Sequence, residues 1–559
     1  MNKEWKIKRC DEKRTEQIMK NFNLTRIVAQ KLAENNLTDS EIKIFLKPTR
    51  KDFHNPFDLP DMEKAVERIL LAIEKNEKIV IYGDYDADGI TSTTILKRYF
   101  RDRNIEVGAY IPNRLDEGYG LNEEAIKEIA KEGYNLIITV DCGITGIKEV
   151  ELAKKLGLDV IITDHHEVPE ELPKAVAVVD AKRKDNKYPF NQLAGCGVAF
   201  KLIQGISIKL GIEENEWLKY IDIACIGTIS DIVPLIDENR VIAYLGLLLL
   251  EVTRNIGLKV LMETAGIKKL DSTAVSFGIS PRINACGRMG HQEDALALFL
   301  TNDPIEARKL ATKIEEYNKK RQEIEKDILN KALSDLEENR DKKCVVLAEE
   351  GWHHGVIGIV SSKITELTYK PSILICIEGE DAKGSGRSIP GFDLHQALMQ
   401  CQDTIDRFGG HAMAIGITIK TDKFQEFAEE FENVAKEAKI DEIIPIINID
   451  AKIELNEINK EMVESLKLLE PYGEGNKMPI FAFRNLKIDS IRALSEGKHL
   501  KLTLKENNTI INAIGFNMGN LAEDYRIGDK IDVVGVLEIN HFNGIDTLQI
   551  NLKDIMKSI

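Results

Sequence analysis

Between Lys78 and Asp180, short runs of aliphatic and β-branched residues alternate with amphipathic stretches. The runs read KIVIYG, IEVGAYIP, YNLIITVD, LDVIITDHH and AVAVVD, and a helical pattern follows each of the first three. Runs that stay apolar at successive positions predict strands buried on both faces, and strand–helix–strand order predicts a parallel sheet. Before this block, residues up to about Leu70 are polar and helical in flavour, with LTDSEIKIFLKP as a small capped helix. After it, Gly195 to Thr301 is mostly helical. From Pro304 to Arg340 there are no glycines, and Leu310, Ile314, Tyr317, Ile324 and Ile328 recur at spacings of three, four or their sum. That pattern predicts one long amphipathic helix bridging two domains. A second α/β unit runs from KKCVVLAEE to about Lys439. The tail offers five short strands with glycine turns: MPIFAFRNLKI, HLKLTL, IINAIGF, KIDVVGVLEI and DTLQINLKDI. They suggest a small barrel of OB type. The expected fold class is α/β: a parallel-sheet catalytic domain, a connecting helix, a second α/β domain and a C-terminal β-barrel. Expected boundaries are 1–70, 71–300, 301–342, 343–440 and 441–559.

A chain of 559 residues is too long for one core, which agrees with several domains. The net charge of −16 argues against a protein that coats duplex DNA, but leaves room for a local basic channel. MNKEWKIKRC has no apolar leader core. The greasiest run, VIAYLGLLLLEV, is too short to span a bilayer and ends at charges, so it reads as a buried helix. Eight scattered cysteines with no CxxC pair suggest free thiols in a reducing, cytoplasmic setting.

The stretch YGDYDADG places Asp84, Asp86 and Asp88 at every second position, where they repel unless a cation sits among them. A calcium loop of the EF-hand type would need Glu at its twelfth position, and counting from Asp84 that residue is Ile95. The acids instead sit in a strand-to-helix turn, where an open α/β sheet places ligands. LIITVDCG ends a second strand at Asp141, and VIITDHH ends a third at Asp164, His165 and His166. Asp231 lies in the helical stretch ACIGTISDIVPL. Each acid alone is an ordinary helix cap. Together, carboxylates with one or two imidazoles suit Mn²⁺ or Mg²⁺ better than a thiolate zinc site. A pair of such cations about 3.5–4 Å apart is a standard device for phosphoester hydrolysis.

The ordered set GDYDADG, VDCG, TDHH and ISDIVPL resembles the DHH phosphoesterase superfamily. ISPRINACGRMG, GWHHGVIGIVSSKI, GSGRSIPGFDLHQAL, FGGHAMAIGITI and PYGEGNKMPIF extend the resemblance to its RecJ branch, from about Lys78 to the C-terminus. The resemblance implies a DHH domain, a DHHA1-type domain and an OB barrel. It also implies a 5′-to-3′ exonuclease on single-stranded DNA that releases 5′-mononucleotides in repair and recombination. Two divalent cations, Mn²⁺ or Mg²⁺, would be held by Asp86, Asp88, Asp141, His165 and Asp231, with Asp141 bridging and Asp84 in support. Tyr82 stands where some relatives carry a His ligand. His166, Asp164, Arg282 and Arg288 would form the catalytic group. Arg114, Ser385 and Arg387 would cradle the 5′ phosphate, Ser388 would be a further substrate-binding residue, and His353, His354, Gly409, Gly410 and His411 would face the catalytic domain across a cleft. Implied partners are single-stranded DNA, a single-strand-binding protein and a helicase, with no membrane and a monomeric chain.

The arginines lie in glycine-rich, loop-like stretches, and guanidinium forks suit phosphate oxygens. In the tail, Lys477, Arg484, Lys487, Arg492, Lys498, Lys501 and Lys505 share their span with only Asp489 and Glu496. From this basic island Lys498 and Lys501 are expected to bind nucleic acid. Phe481 and Phe483 alternate on one strand and are candidates to stack bases. Two rival readings are a DHH phosphoesterase of short oligonucleotides or cyclic dinucleotides, and a noncatalytic DNA-binding scaffold. The C-terminal barrel disfavours the first and the intact acids disfavour the second.

Overall fold

The computed structural model describes residues 3–338, 341–542 and 544–558. The chain forms two compact units, Phe53–Ile443 and a second made of Met1–Asp52 with Ile444–Ile559. Strand β1 (Glu4–Ile7) belongs to the second unit.

The larger unit begins with a five-stranded parallel sheet of β2 (Ile79–Gly83), β3 (Val107–Tyr110), β4 (Leu136–Val140), β5 (Asp159–Thr163) and β6 (Ala177–Val179), in the order β3-β2-β4-β5-β6. β2 and β4 are buried at every position, because helices cover both faces. On β2, Ile79 and Ile81 enter one core while Val80 and Tyr82 enter the other. The chain passes from β2 outward to β3, then crosses back to place β4 on the other side of β2. That reversal opens a crevice at the carboxyl ends of β2 and β4, where doubly wound sheets bind ligands.

The helix Pro304–Glu338 realises the bridging pattern; its expected end at Arg340 lies outside the described residues. Leu310 and Ile314 are buried in the core of the parallel sheet, whereas Ile328 and Ala332 join the core under the second sheet. That sheet consists of β7 (Val345–Glu350), β8 (Ser372–Glu378), β9 (Asp381–Arg387), β10 (Arg407–His411) and β11 (Ala414–Lys420), ordered β10-β11-β9-β8-β7. Only the β7–β8 pair is parallel.

In the smaller unit, β12 (Ile446–Ile449) pairs with β1, and β13 (Ala451–Lys452) extends a barrel of β14 (Phe481–Leu494), β15 (His499–Glu506), β16 (Thr509–Gly515), β17 (Lys530–Phe542) and β18 (Ile545–Lys557). Pairing of β14 with β17 closes it. N-terminal residues Ile18, Val28, Leu32, Ile42 and Phe45 share its core with Leu500 and Ile531. The helix Asp39–Leu46 starts in a capping box of Thr38 and Glu41, as LTDSE suggests. Phe481 and Phe483 are both fully buried in this core. This corrects their assignment as base-stacking residues: no ring face is open to a nucleotide.

Candidate metal and phosphate site

β2 ends at Gly83, and the chain turns through Asp84 and Asp86 into the helix Ala87–Arg101. Asp86 caps this helix, accepting hydrogen bonds from the N–H groups of Asp88 and Gly89 at 2.8 and 3.1 Å. Asp88 accepts from the N–H groups of Gly195 and Cys196 at 2.7 and 2.9 Å, where the helix Gly195–Lys209 starts. Two helix N-termini therefore hold two of the acids. Asp141 follows β4 with φ of 60°, a left-handed conformation that Asp tolerates. Its Oδ1 lies 3.1 Å from Nε2 of His165, and the same nitrogen lies 3.7 Å from Asp231 and 3.9 Å from Asp88. Backbone comes right up to the carboxylates. A Cβ on Gly195 would lie 2.7 Å from Asp141 Oδ1, and one on Gly227 would lie 2.7 Å from Asp88 Oδ1.

These groups fit divalent cations. Asp84, Asp86 and Asp141 form one triad and Asp88, His165 and Asp231 another, the donor atoms of each lying within 4.8 Å of one another. Asp84 Oδ1 and His165 Nε2 are buried with no hydrogen-bond partner. Burial, and then the facing carboxylates, push Asp84, Asp141 and Asp231 well above the ordinary carboxylate range and lift Asp88 to about 6. Burial, and then the adjacent His166, pull His165 down to about 3, so its imidazole is neutral and keeps a lone pair to donate. A cation would relieve every one of these costs.

Asp164 turns away from the cluster. It is fully buried and accepts from the N–H groups of Ile144 and His165 at 2.9 and 2.7 Å, and from His166 Nδ1 at 2.7 Å. Burial works against protonated His166, but the bond and charge of Asp164 outweigh it and raise its pKa. The hydroxyl of Tyr119 lies 3.0 Å from His166 Nδ1. Tyr119 is a site residue that pattern reading misses, since it sits in a polar turn with no periodicity. Tyr82 is fully buried, stacked on Tyr110, and donates its hydroxyl to the Gly120 carbonyl at 3.0 Å. Its side chain belongs to the core opposite the cluster.

The arginines separate into two kinds. Arg288 donates to the Gly355 carbonyl at 2.8 Å; its burial, then the charges of Arg114, Arg321 and Arg387, pull its pKa down. Arg387, at the end of β9, donates to Ser385 Oγ at 3.2 Å, and burial followed by Arg114 lowers it too. Arg114 lies over the Tyr85 ring at 5.1 Å. A Cβ on Gly358 would lie 2.8 Å from Ser385 Oγ, so the helix His354–Thr368 approaches this group closely. Mutually repelling guanidiniums near a helix start make a site for an anion. Arg282 is of the other kind: it donates to Glu315 and to the Gly278 carbonyl, both at 2.6 Å. This corrects its placement in the catalytic group. Both Arg282 and Arg288 also lie on one helix, Ser280–Arg288, and not in loops.

His353 caps the helix Gly355 enters, accepting from the Gly355 N–H at 3.1 Å. His354 is its first residue and half-buried. Ser388, expected among the substrate-binding residues, is buried and donates its hydroxyl to the Phe392 carbonyl, which commits it to the turn after β9. Gly409, Gly410 and His411 lie exposed on β10, where His411 Nδ1 accepts from the Met413 N–H. Lys498 and Lys501 lie in the smaller unit, on the β14–β15 hairpin.

Carboxylates gathered at strand ends of a parallel sheet around Asp164-His165-His166 define a DHH-type phosphoesterase domain, and residues 78–228 match the model of the DHH family, N-terminal domain. Residues 341–437 match the DHHA1 domain and 449–554 the RecJ OB domain. The single-stranded-DNA-specific exonuclease RecJ of Bacillus subtilis (strain 168) is 39% identical over 558 residues, spanning 98% of this chain and 70% of that protein. The crystal structure of RecJ from Thermus thermophilus in complex with Mn²⁺ superposes with a TM-score of 0.88 at 30% identity, covering 100% of this chain and 80% of that one. The Mg²⁺ complex from the same organism gives 0.81 at 28%, covering 100% and 79%. The chain belongs to the RecJ family of single-stranded-DNA-specific exonucleases.

Proposed function

We propose that this protein is a metal-dependent exonuclease that degrades single-stranded DNA from its 5′ end to 5′-mononucleotides. The observation that carries this reading is the pair of carboxylate-rich triads around the neutral His165, in the same unit as Arg288, whose pKa burial and then the charges of Arg114, Arg321 and Arg387 lower. Asp84, Asp86, Asp88, Asp141, His165 and Asp231 would hold two divalent cations, Mn²⁺ or Mg²⁺, as the metal complexes of the Thermus relative suggest. Bound there, the cations supply Lewis acidity, making water easier to ionise and offsetting charge at phosphorus.

The protein's own groups supply orientation and protons. Asp164 fixes the His166 ring and favours its protonated form, which would hydrogen-bond a phosphate oxygen or pass a proton to the departing one. Arg114, Arg288 and Arg387 hold phosphate, with Ser385 beside Arg387. His353, His354, Gly409, Gly410 and His411 complete the substrate cleft in this reading. The coordination uses nothing from Tyr82, whose hydroxyl is committed to Gly120. All eight cysteines are free, which suits a reducing cytoplasm. Among the described residues no helix is long and apolar enough to cross a membrane. The protein would act as a monomer, on strands supplied by a helicase and covered by a single-strand-binding protein.

The test is product analysis on long single strands labelled at the 5′ end, with Mn²⁺ or with chelator. Metal-dependent release of labelled mononucleotide, with duplex spared, is expected. Internal cuts, or release unaffected by chelation, would refute the reading.

A further inference from the structure

We propose that Lys182 binds the strand on the 3′ side of the scissile bond, taking the phosphate that joins the second and third nucleotides while the arginine group holds the 5′ end. The inference rests on the substrate reading above and gives the site a direction, from the arginines across the two triads to the loop after β6.

That loop begins beside the Asp164-His165-His166 turn. β6 is the edge strand next to β5, and the Asp164 N–H donates to the Val179 carbonyl at 3.1 Å, so the two strand ends lie side by side. The neighbours of Lys182 in this loop are engaged elsewhere. Asp180 is fully buried, and its Oδ1 accepts from the Lys182 N–H at 2.7 Å. Ala181 lies in the core of the parallel sheet. Arg183 is spread over Asp61, Asp185 and the Val178 carbonyl. Lys182 is thus fixed through its backbone, while its side chain is 28% exposed. Its ammonium lies 3.0 Å from the carboxylate of Glu167, the residue after His166. That carboxylate is 88% exposed, and ion pairs so open to water add little to stability. Burying a carboxyl such as Asp180 is costly, and here it holds in place a lysine whose ion-pair partner is a solvated glutamate that a phosphate can displace.

The cations divide between the two ends of the metal-type cluster. Asp84, in the triad with Asp86 and Asp141, is pushed up by burial and then by Asp86, and Arg114 is the cation that pulls it back. Arg288, pulled down by burial and then by neighbouring arginines, is raised again by Asp86 of the same triad. Asp231, in the triad with Asp88 and His165, is pushed up by burial and then by Asp88 and Asp86, and there the cation that pulls it back is Lys182. A strand laid over both triads would therefore meet positive charge at each end. Guanidinium forks suit a terminal phosphate with several free oxygens, and an ammonium suits a diester as a point charge. Release of mononucleotides from the 5′ end leaves one nucleotide between the terminal phosphate and the cut. With that phosphate at the arginines, the chain beyond the cut leads to Lys182, in the manner of grooves that track a single-strand backbone.

The test uses the full chain with Mn²⁺ and two 5′-phosphorylated single strands of one sequence. In one, the linkage between the second and third nucleotides is the natural phosphodiester; in the other it is an uncharged methylphosphonate. Initial rates of release of the first nucleotide are compared for wild type, Lys182→Ala and Lys182→Arg. The wild type should lose roughly tenfold in kcat/KM on the methylphosphonate strand, in line with one hydrogen bond to a charged group. Lys182→Ala should lose about the same factor on the diester strand and nothing further on the methylphosphonate strand, a non-additivity that a merely structural role would not produce. Lys182→Arg should keep the preference for the diester. A 5′-phosphorylated dinucleotide, which lacks the phosphate in question, should be cleaved equally by wild type and Lys182→Ala. A wild type indifferent to the methylphosphonate, or a Lys182→Ala chain slowed by one factor on all three substrates, overturns the assignment while leaving the exonuclease reading intact. A wild-type chain that releases no mononucleotide from the diester strand overturns both.

Discussion

Asp164 and His166 are joined by a 2.7 Å hydrogen bond, and the remaining capacity of that buried carboxylate goes to backbone N–H groups of Ile144 and His165, in the two loops that carry Asp141 and His165. One acid thus favours the charged form of His166 and fixes the path of the chain past His165. Asp164→Asn would keep the shape but lose the charge. Groups that orient metal ligands in this way are typically worth 10–100-fold in metal affinity or activity. We expect kcat to fall by about that factor, with a melting curve shifted only modestly. Near-wild-type kcat at saturating Mn²⁺ would exclude this role.

Asp141 is buried among like charges, with other aspartates of the cluster raising its pKa after burial itself. Asp141→Asn should therefore raise the melting temperature of the metal-free chain at neutral pH while abolishing cleavage. The wild type should gain roughly 2.7 kcal/mol of stability when Mn²⁺ reaches a hundred times its Kd, and the variant much less. Thermal scans with chelator and with Mn²⁺ read both effects. A variant less stable than wild type without metal would show that Asp141 is structural.

Asp450 offers a pH dependence remote from the site. Its Oδ1 accepts from Lys8 and Lys31, both at 2.7 Å, and Oδ2 accepts from the Ile480 N–H at 2.8 Å. Burial raises its pKa, but Lys31 and then Lys8 outweigh this and leave it lowered. A depressed carboxylate stabilises the fold above its unfolded pKa of about 3.9, and that contribution is lost as pH falls through the lower, folded value. Glu34, pushed up mainly by burial, opposes this in sign. Asp450→Asn leaves Lys8 and Lys31 with Glu34 as their remaining carboxylate, at 3.1 and 3.7 Å, and should cost about 1–3 kcal/mol at pH 7. Urea titrations of the two proteins should converge below about pH 4. A constant difference across pH would assign the loss to packing.

Strand parity and strand ends explain what the sequence made legible. Asp84, Asp141 and Asp164 follow runs such as IVIYG and LIITV that can only be buried strands, so their convergence at one sheet edge could be inferred. Phe481 and Phe483 could not be placed the same way. An alternating pair shows that two rings share a face, but not which face. β14 also slips register between Phe483 and Leu486 and again between Ile488 and Ser490, which hides the parity. Arg282 and Arg288 mislead through local structure, because their glycine-rich surroundings resemble a loop and fold as a helix. Six residues at roughly 100° each place them on different sides of that helix, so only one can look into the site. The joining of the first 52 residues to the C-terminal barrel depends on contacts hundreds of residues apart, about which local pattern is silent.

Gly195 has a requirement that charge alone would not reveal. Its N–H binds Asp88, and a Cβ there would sit 2.7 Å from Asp141 Oδ1. Gly195→Ala must therefore move one of two carboxylates from different triads. Helix propensity favours Ala by up to about 1 kcal/mol, so the variant should fold. Its activity should need more Mn²⁺, with the half-saturating concentration raised about tenfold or more. Titration of rate against Mn²⁺ decides this, and an unchanged midpoint would show that the carboxylates adjust freely.

Arg387 tests how the strand end is recognised. A terminal phosphate carries more charge than an internal diester, so a pocket that reads the end should concentrate positive charge where few acids offset it. Arg387 meets that description: it is half-buried, hydrogen-bonded to Ser385, and close enough to Arg114 for that charge to lower its pKa. Each cut that releases a 5′-mononucleotide leaves a new 5′-phosphate, so one pocket can serve every successive substrate. A hydrogen bond to a charged group is worth about 1.5–3 kcal/mol. Arg387→Ala should therefore slow cleavage of 5′-phosphorylated strands by about one to two orders of magnitude, and of 5′-hydroxyl strands by much less. Initial rates on the matched pair of substrates measure the ratio directly. If both slow by the same factor, Arg387 acts at the scissile phosphate or in the fold, and Arg114 and Arg288 become the candidates for reading the strand end.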